Sequence, residues 1–353
     1  MFRRHRSTVP VAYQRGIHHQ QSVLNAVQEI RERLSYVSGL SASHNDAKAL
    51  VANALQPPLL SSNNLFFHNE RTLTVHEAAL LSSSVERRSK GEPLAYVIGR
   101  KEFWSLEFKV TSDTLIPRSD SEVLIETLVD QFHSETPLRI LDIGTGSGCL
   151  LLSALSEFPR ATGVGIDISP GALTVAKQNA QSNDLDGRAK FLHRDLKTLP
   201  GLRSDAAGAE TLYRRFDVIL CNPPYIPSRE VDLVGRDVLQ YEPHRALFAG
   251  GSPTADDSEM DPEGLRMYRL LYESVDKLFR NGSWDAGNAG KLRKHCLLME
   301  IGSEDQARAV QKLFTSRTKS RFPQIEGSKS SPLHFERFLF DASGKYRGLL
   351  FVK

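Results

Sequence analysis

The chain has 353 residues, 40% hydrophobic and 25% charged, with a formal net charge of +3. Those proportions belong to an ordinary globular protein long enough for roughly two domains of about 150 residues. No apolar run approaches the ~20 residues of a membrane-spanning helix, and the charge is too small to mark a nucleic-acid surface, so neither a membrane nor a nucleic acid is expected as a direct partner.

Residues 1–28 contain Arg3, Arg4, Arg6 and Arg15 and no acid before Glu29. An Arg-rich, acid-free start is the composition of a mitochondrial transit peptide. Residues 1–20 are read that way, with the matrix as destination; the competing reading is a disordered basic tail. Residues 21–92 read as a small all-helical domain. Val23, Val27, Ile30 and Leu34 form one stripe. A second helix is expected over 46–55, before Pro57 and Pro58. Thr74 and Glu77 have the spacing of a capping box that opens a third helix, ending near Gly91.

Residues 93–118 read as a linker. Phe103, Leu106, Phe108 and Val110 alternate with polar residues, which predicts a two-stranded ribbon over 94–116. Residues 119–353 form the remaining domain, and from 137 onward strands and helices alternate. Strands are expected at 139–144, 163–168, 190–195, 216–222 and 295–302. Helices are expected at 149–158, 170–183, 265–279 and 303–316. Two closing strands fall near 334–341 and 348–353. This order predicts an α/β doubly wound sheet with an antiparallel C-terminal edge. Stretches 200–214, 252–263, 281–291 and 318–332 lack periodicity and read as surface insertions. Cys149, Cys221 and Cys296 are far apart in apolar runs, which argues for reduced, buried thiols and against a metal framework.

Two constellations carry chemistry. The first is Asp142-Ile143-Gly144-Thr145-Gly146-Ser147-Gly148, where a strand ends and a helix begins. Ligands of open α/β sheets bind at the carboxyl ends of strands, and glycines there let the backbone pass close to a ligand. Asp167, nineteen residues beyond Gly148 at the end of the next strand, is placed to accept both hydroxyls of a ribose. The bland alternative is a structural turn and a helix-capping carboxylate.

The second is Asn222-Pro223-Pro224-Tyr225, directly after the strand at 216–221. Two consecutive prolines fix φ and remove two donors, leaving free carbonyl acceptors. An amide or aniline-type NH2 has a delocalised lone pair and is a poor nucleophile. The Asn222 side-chain oxygen and the Pro223 carbonyl could hold its two hydrogens, so that the nitrogen pyramidalises toward an electrophilic methyl. Tyr225 would pack on the flat acceptor group, and orientation with preplaced dipoles would supply most of the rate. The competing reading is an ordinary Pro-rich turn.

The spacing Gly144-x-Gly146-x-Gly148 is tighter than the dinucleotide fingerprint and resembles that of class I methyltransferases, which implies S-adenosylmethionine as cofactor and places the adenine near Asp195 and Leu196. The Asp142–Gly148 loop, Asp167 and the Asn222–Tyr225 tetrad, in this order, resemble the HemK/PrmC family of glutamine-N5 methyltransferases. Segments Gly91–Gly99, Glu102–Phe108, Leu115–Arg118, Tyr241–Leu247 and Asp341–Arg347 resemble further family motifs. The family's Pro-Asp-Thr-Glu after the arginine is here Ser119-Asp120-Ser121-Glu122, and Ser105 replaces a usual glycine.

The resemblance implies a doubly wound methyltransferase domain at 119–353 and a class I peptide chain release factor as substrate, methylated on the glutamine of its Gly-Gly-Gln loop. It also implies a docking role for the helical domain and a substrate contact for Arg118 with the tetrad. Arg87, Arg88, Lys90, Arg100 and Lys101 could meet an acidic surface or simply be solvated. A ribosomal-protein glutamine methyltransferase and an adenine-N6 or cytosine-N4 nucleic-acid methyltransferase share the tetrad's logic. The latter should carry a recognition module or basic stripe, and neither is visible. A non-catalytic cofactor-binding scaffold is disfavoured by the intact Asn222.

Overall fold

The computed structural model describes residues 16–36, 43–205, 209–250, 261–281, 295–316 and 333–353. The transit-peptide reading therefore falls mainly outside the described residues, as do most of the insertions at 252–263, 281–291 and 318–332. The chain divides after Arg100 into two compact units. Among the described residues no helix is long and apolar enough to cross a membrane.

The first unit is helical. Helix α1 (Val23–Ser35) buries the expected stripe and is capped by the Ser22 hydroxyl, which accepts from the Asn25 amide at 3.2 Å. Helix α2 is Ser43–Ala54 and α3 is Val75–Ser89. The capping box of α3 is formed in both directions: Glu77 N donates to Thr74 Oγ1 at 3.2 Å, and Thr74 N donates to Glu77 Oε2 at 2.9 Å. The fully buried Glu77 also accepts from the Gln56 amide at 2.8 Å and from Arg71.

Residues 94–98, read as the start of the ribbon, instead form a short helix α4 (Leu94–Ile98) that ends at Gly99 with φ 79°. Pro93 pre-sets the first turn and Gly99 supplies the left-handed stop. Of the basic cluster, Arg87 pairs with Glu92, Arg88 with Asp46 and Lys90 with Glu86, while Arg100 donates to the Leu59 carbonyl. These side chains hold their own unit together.

A hairpin starts at the division, β1 (Arg100–Phe103) and β2 (Leu106–Lys109), and its Phe103 and Phe108 are buried in the hydrophobic core of the second unit. Helix α5 (Glu122–Gln131) follows, unannounced by the sequence reading. Then come β3 (Arg139–Ile143), α6 (Cys149–Glu157), β4 (Thr162–Asp167), α7 (Pro170–Ser182) and β5 (Ala189–His193). After α8 (Ala209–Leu212) come β6 (Val218–Cys221), α9 (Arg236–Tyr241), α10 (His244–Leu247), α11 (Arg266–Leu278), β7 (Cys296–Glu300), α12 (Glu304–Thr315), β8 (His334–Phe340) and β9 (Tyr346–Val352).

Among the described residues the seven strands run in the order β5-β4-β3-β6-β7-β9-β8, parallel from β5 to β7 and antiparallel where β9 enters between β7 and β8. Strands β6 and β7 are buried along their whole length, as expected for a parallel sheet covered on both faces. The insertion at 200–214 is partly structured, since Leu212 of α8 is buried in the core.

Register decides where the chemistry lies. Ile143 pairs with Ile166 on one side and with Cys221 on the other. The next residues, Gly144, Asp167 and Asn222, therefore leave the sheet side by side at its carboxyl edge. Glycine in β4 lets the loop lie on the sheet, because a Cβ at Gly165 would come within 2.8 Å of Thr145 Oγ1.

Candidate active site

A cavity of about 840 Å³ opens at this carboxyl edge. Its lining includes Gly144, Thr145, Gly146, Ser147, Asp167, Asp195, Leu196, Asn222, Pro223, Pro224 and Arg118. Most of the site residues expected from sequence thus meet around one space, although up to about 100 residues separate them along the chain. Three stand apart from the lining: Asp142, Gly148 and Tyr225.

Asp142 sits beneath the loop and accepts from Thr145 Oγ1 at 2.6 Å. Burial pushes its pKa up to about 7, with the nearby Asp167 adding to the rise. Gly148 caps α6 in the left-handed region, with φ 84°, and a Cβ there would lie 3.2 Å from Leu152. Both residues shape the loop from behind. Tyr225 lies on a smaller neighbouring pocket, packs against Gly302 and donates its hydroxyl to Glu300 Oε1 at 3.2 Å. Burial, with the Glu300 carboxyl beside it, raises the phenol pKa. Its ring is occupied within the protein and is not a wall of the large cavity.

Asp167 has two backbone partners. Its Oδ2 accepts from the Gly146 amide at 2.9 Å and its Oδ1 from the Ser169 amide at 2.8 Å. Each oxygen keeps a second lone pair for a ligand hydroxyl. Burial raises its pKa against the lowering effect of those amides. Asp195 caps the short 3-10 turn Leu196–Gly201 by accepting from the Lys197 amide at 2.8 Å. Arg118 pairs with the buried Glu242, which also accepts from the Ile116 amide at 3.1 Å. That pair explains the Glu-Pro stretch after the tetrad: Glu242 pins the segment 116–118 at the rim.

The Asn222 carboxamide donates from Nδ2 to Ser121 Oγ at 3.3 Å. Its backbone carbonyl lies 3.8 Å from where a Gly144 Cβ would stand, so loop and tetrad touch. Two residues of this neighbourhood escaped sequence reasoning. Ser121 lay in a segment noted only for its departure from the family pattern. Glu300 is a lone acid at the end of the apolar strand β7, a signal of a special environment; burial pushes its pKa up to about 7. Among the described residues there is no cluster that could hold a metal ion. Cys221 and Cys296 are buried thiols outside any disulfide, as expected, whereas Cys149 is half-buried on the cavity wall.

A parallel sheet with an antiparallel edge, a glycine-rich turn after its first strand and an acid ending the second fit the class I methyltransferase fold. Residues 134–275 match the methyltransferase domain family, and residues 25–99 match the PrmC N-terminal domain. The chain is 36% identical over 244 residues to the release factor glutamine methyltransferase of Caulobacter vibrioides, covering 69% of this chain and 72% of that protein. It is 35% identical over 268 residues to the protein of the same name from Rhodospirillum rubrum, covering 75% and 74%. With the one from Koribacter versatilis it shares 39% identity over 240 residues, covering 67% and 72%. The chain belongs to the release factor glutamine methyltransferase (HemK/PrmC) family.

The methyl donor of this class is S-adenosylmethionine, and the cavity suits it. The loop passes without Cβ atoms at Gly144 and Gly146, and Asp167 offers two oxygens.

Proposed function

We propose that this protein methylates the side-chain amide nitrogen of the glutamine in the Gly-Gly-Gln loop of a class I peptide chain release factor. The observation that carries this reading is the Asn222 carboxamide at the carboxyl end of β6, on the wall of the same cavity as the glycine loop. The named relatives are release factor glutamine methyltransferases.

S-adenosylmethionine supplies an electrophilic methyl on a positively charged sulfur. Gly144 to Ser147 and Asp167 hold it, with Asp195 and Leu196 at the adenine end. Asn222 Oδ1 and the Pro223 carbonyl accept the two hydrogens of the glutamine NH2. That grip draws the nitrogen lone pair out of conjugation and aims it at the methyl. Pro223 and Pro224 keep the acceptors rigid, because neither has an N–H to donate back. Orientation and fixed dipoles would then carry the rate without a strong base: the N–C bond forms as the S–C bond of the methyl breaks, the sulfur leaves neutral, and one amide proton is given up to water. Pro224 and Arg118 border the acceptor's entry, and Tyr225 steadies the corner from behind through Glu300. The helical unit, residues 21–92 with the short helix after it, docks the protein substrate, and the hairpin within 93–118 precedes the methyltransferase domain at 119–353.

The acid-free, Arg-rich residues 1–20 direct the chain to the mitochondrial matrix, where an organellar release factor is the substrate. A reporter fused behind these residues and found in the cytosol would remove that location. Radiolabelled transfer to a recombinant organellar release factor tests the reaction. Label is expected on the intact factor and absent when its loop glutamine is replaced; label on naked RNA or DNA instead would overturn the reading.

A further inference from the structure

Asn222 can help only if its oxygen, and not its NH2 group, faces the acceptor. A carboxamide is nearly symmetric in shape, so packing alone does not choose between the two orientations; hydrogen bonds must. The deciding partner is Ser121, buried at the start of α5, whose Oγ accepts from Asn222 Nδ2 at 3.3 Å. A hydroxyl that accepts there still has one hydrogen to place. It meets Glu300 at the end of β7, a fully buried carboxyl whose side chain interacts with the Ser121 hydroxyl. Glu300 Oε1 already accepts from the Tyr225 hydroxyl at 3.2 Å, while Oε2 is buried with no close partner. The Glu300 carboxyl thus carries one orphan acceptor oxygen and lies within reach of a hydroxyl that has a hydrogen to give.

We propose that Ser121 and Glu300 are positioning residues that set the polarity of the Asn222 carboxamide. Glu300 takes the hydrogen of Ser121, Ser121 takes a hydrogen from Asn222 Nδ2, and Asn222 Oδ1 is left to the substrate. The chain of bonds has one sense only while Glu300 remains an acceptor. Reversed, it would present Nδ2 to the substrate NH2, donor against donor, and the grip would be lost. The other charged groups around Glu300 are Asp120, beside Ser121, and Arg347 of β9. The latter is held by Asp341 at 2.8 Å and Asp120 at 2.7 Å. Tyr225 braces the remaining carboxyl oxygen, which gives the tetrad's aromatic residue a task away from the cavity.

The proposal rests on the role given to Asn222 above, and a kinetic double-mutant cycle on the full-length chain separates the two. Methyl transfer to a recombinant release factor is measured for Ser121→Ala, Ser121→Thr, Glu300→Gln, the double variant Ser121→Ala with Glu300→Gln, and Asn222→Ala. Cofactor affinity is titrated alongside. Ser121→Ala is expected to lower kcat tenfold or more with cofactor Kd within twofold, and Ser121→Thr, which keeps the hydroxyl, to restore most of it. Glu300→Gln should lower kcat in the parent but add little once Ser121 is alanine. Should Ser121→Ala fold poorly, Ser121→Cys, of similar size and a weak acceptor, replaces it with the same expectation. An unchanged kcat in the alanine variant, or losses that multiply independently in the double variant, would overturn the proposal while an inactive Asn222→Ala left the reading of the site standing. An active Asn222→Ala would overturn both.

Discussion

The amide of Gly146 donates to Asp167 Oδ2 at 2.9 Å, so the carboxylate that ends β4 also fastens the glycine turn that follows β3. One side chain shapes the loop and faces the cavity at once, and removing it should do two things. Asp167→Ala is expected to weaken cofactor binding at least tenfold, about 1.4 kcal/mol or more, the scale of a charge-assisted hydrogen bond lost at a partly buried site. Calorimetric titration with S-adenosylmethionine or its demethylated product measures it. Affinity equal to the parent's would reject a ribose role for this residue.

Gly165 sits under the same loop. A Cβ there would stand 2.8 Å from both Thr145 Oγ1 and a ring carbon of Phe191. Gly165→Ala should cost about 1–3 kcal/mol of stability through overpacking and should weaken cofactor affinity as well, because Thr145 must shift. Urea unfolding and the same titration read both effects. A variant with parental stability and affinity would show that the loop can give way freely.

The buried Glu300 carboxyl makes stability depend on pH. Its folded pKa, about 7, lies above the ordinary 4.5 because burial disfavours the charge. The folded state therefore binds this proton more tightly than the unfolded chain. The stabilisation is complete below 4.5 and is lost as pH rises through 7. Glu300→Gln carries no charge to bury, so its stability relative to the parent should improve on going from about pH 5 to about pH 8, by on the order of 3 kcal/mol at most. Urea midpoints across that range test it; a difference that stays flat with pH would mean that Glu300 does not titrate as described.

In the helical unit, Glu77 closes the returning half of the α3 capping box, accepts from Gln56 and pairs with Arg71 while wholly buried. Glu77→Ala should destabilise this unit by about 3 kcal/mol or more, since a cap is lost and buried donors are left unpaired. Thermal unfolding followed by circular dichroism would show an early helical transition; a melting curve matching the parent's would contradict the bookkeeping.

Much of this was legible beforehand because it is written in local periodicity. The stripe of α1, the capping box of α3, the strand β6 before the tetrad and the antiparallel closing pair all depend on neighbours a few residues apart. Helix α4 was missed because five residues carry too little period to outweigh the alternating pattern that follows them. Helices α9 and α10, of six and four residues, are likewise too short to show a period. Helix α5 starts without a side-chain cap hydrogen bond to mark its boundary.

The sequence by itself determined the alternating fold, the glycine loop, Asp167 and the Asn-Pro-Pro-Tyr corner, since each is a short pattern whose meaning lies in backbone geometry. Only the tertiary structure decided which of these residues face the cavity: Tyr225 turns behind the corner toward Glu300, and Asp142 lies under the loop. It alone brought Ser121 to Asn222 across 101 positions of chain. Side-chain direction at a strand's end is set by what packs on both faces of the sheet, and those neighbours come from distant segments that no local pattern records.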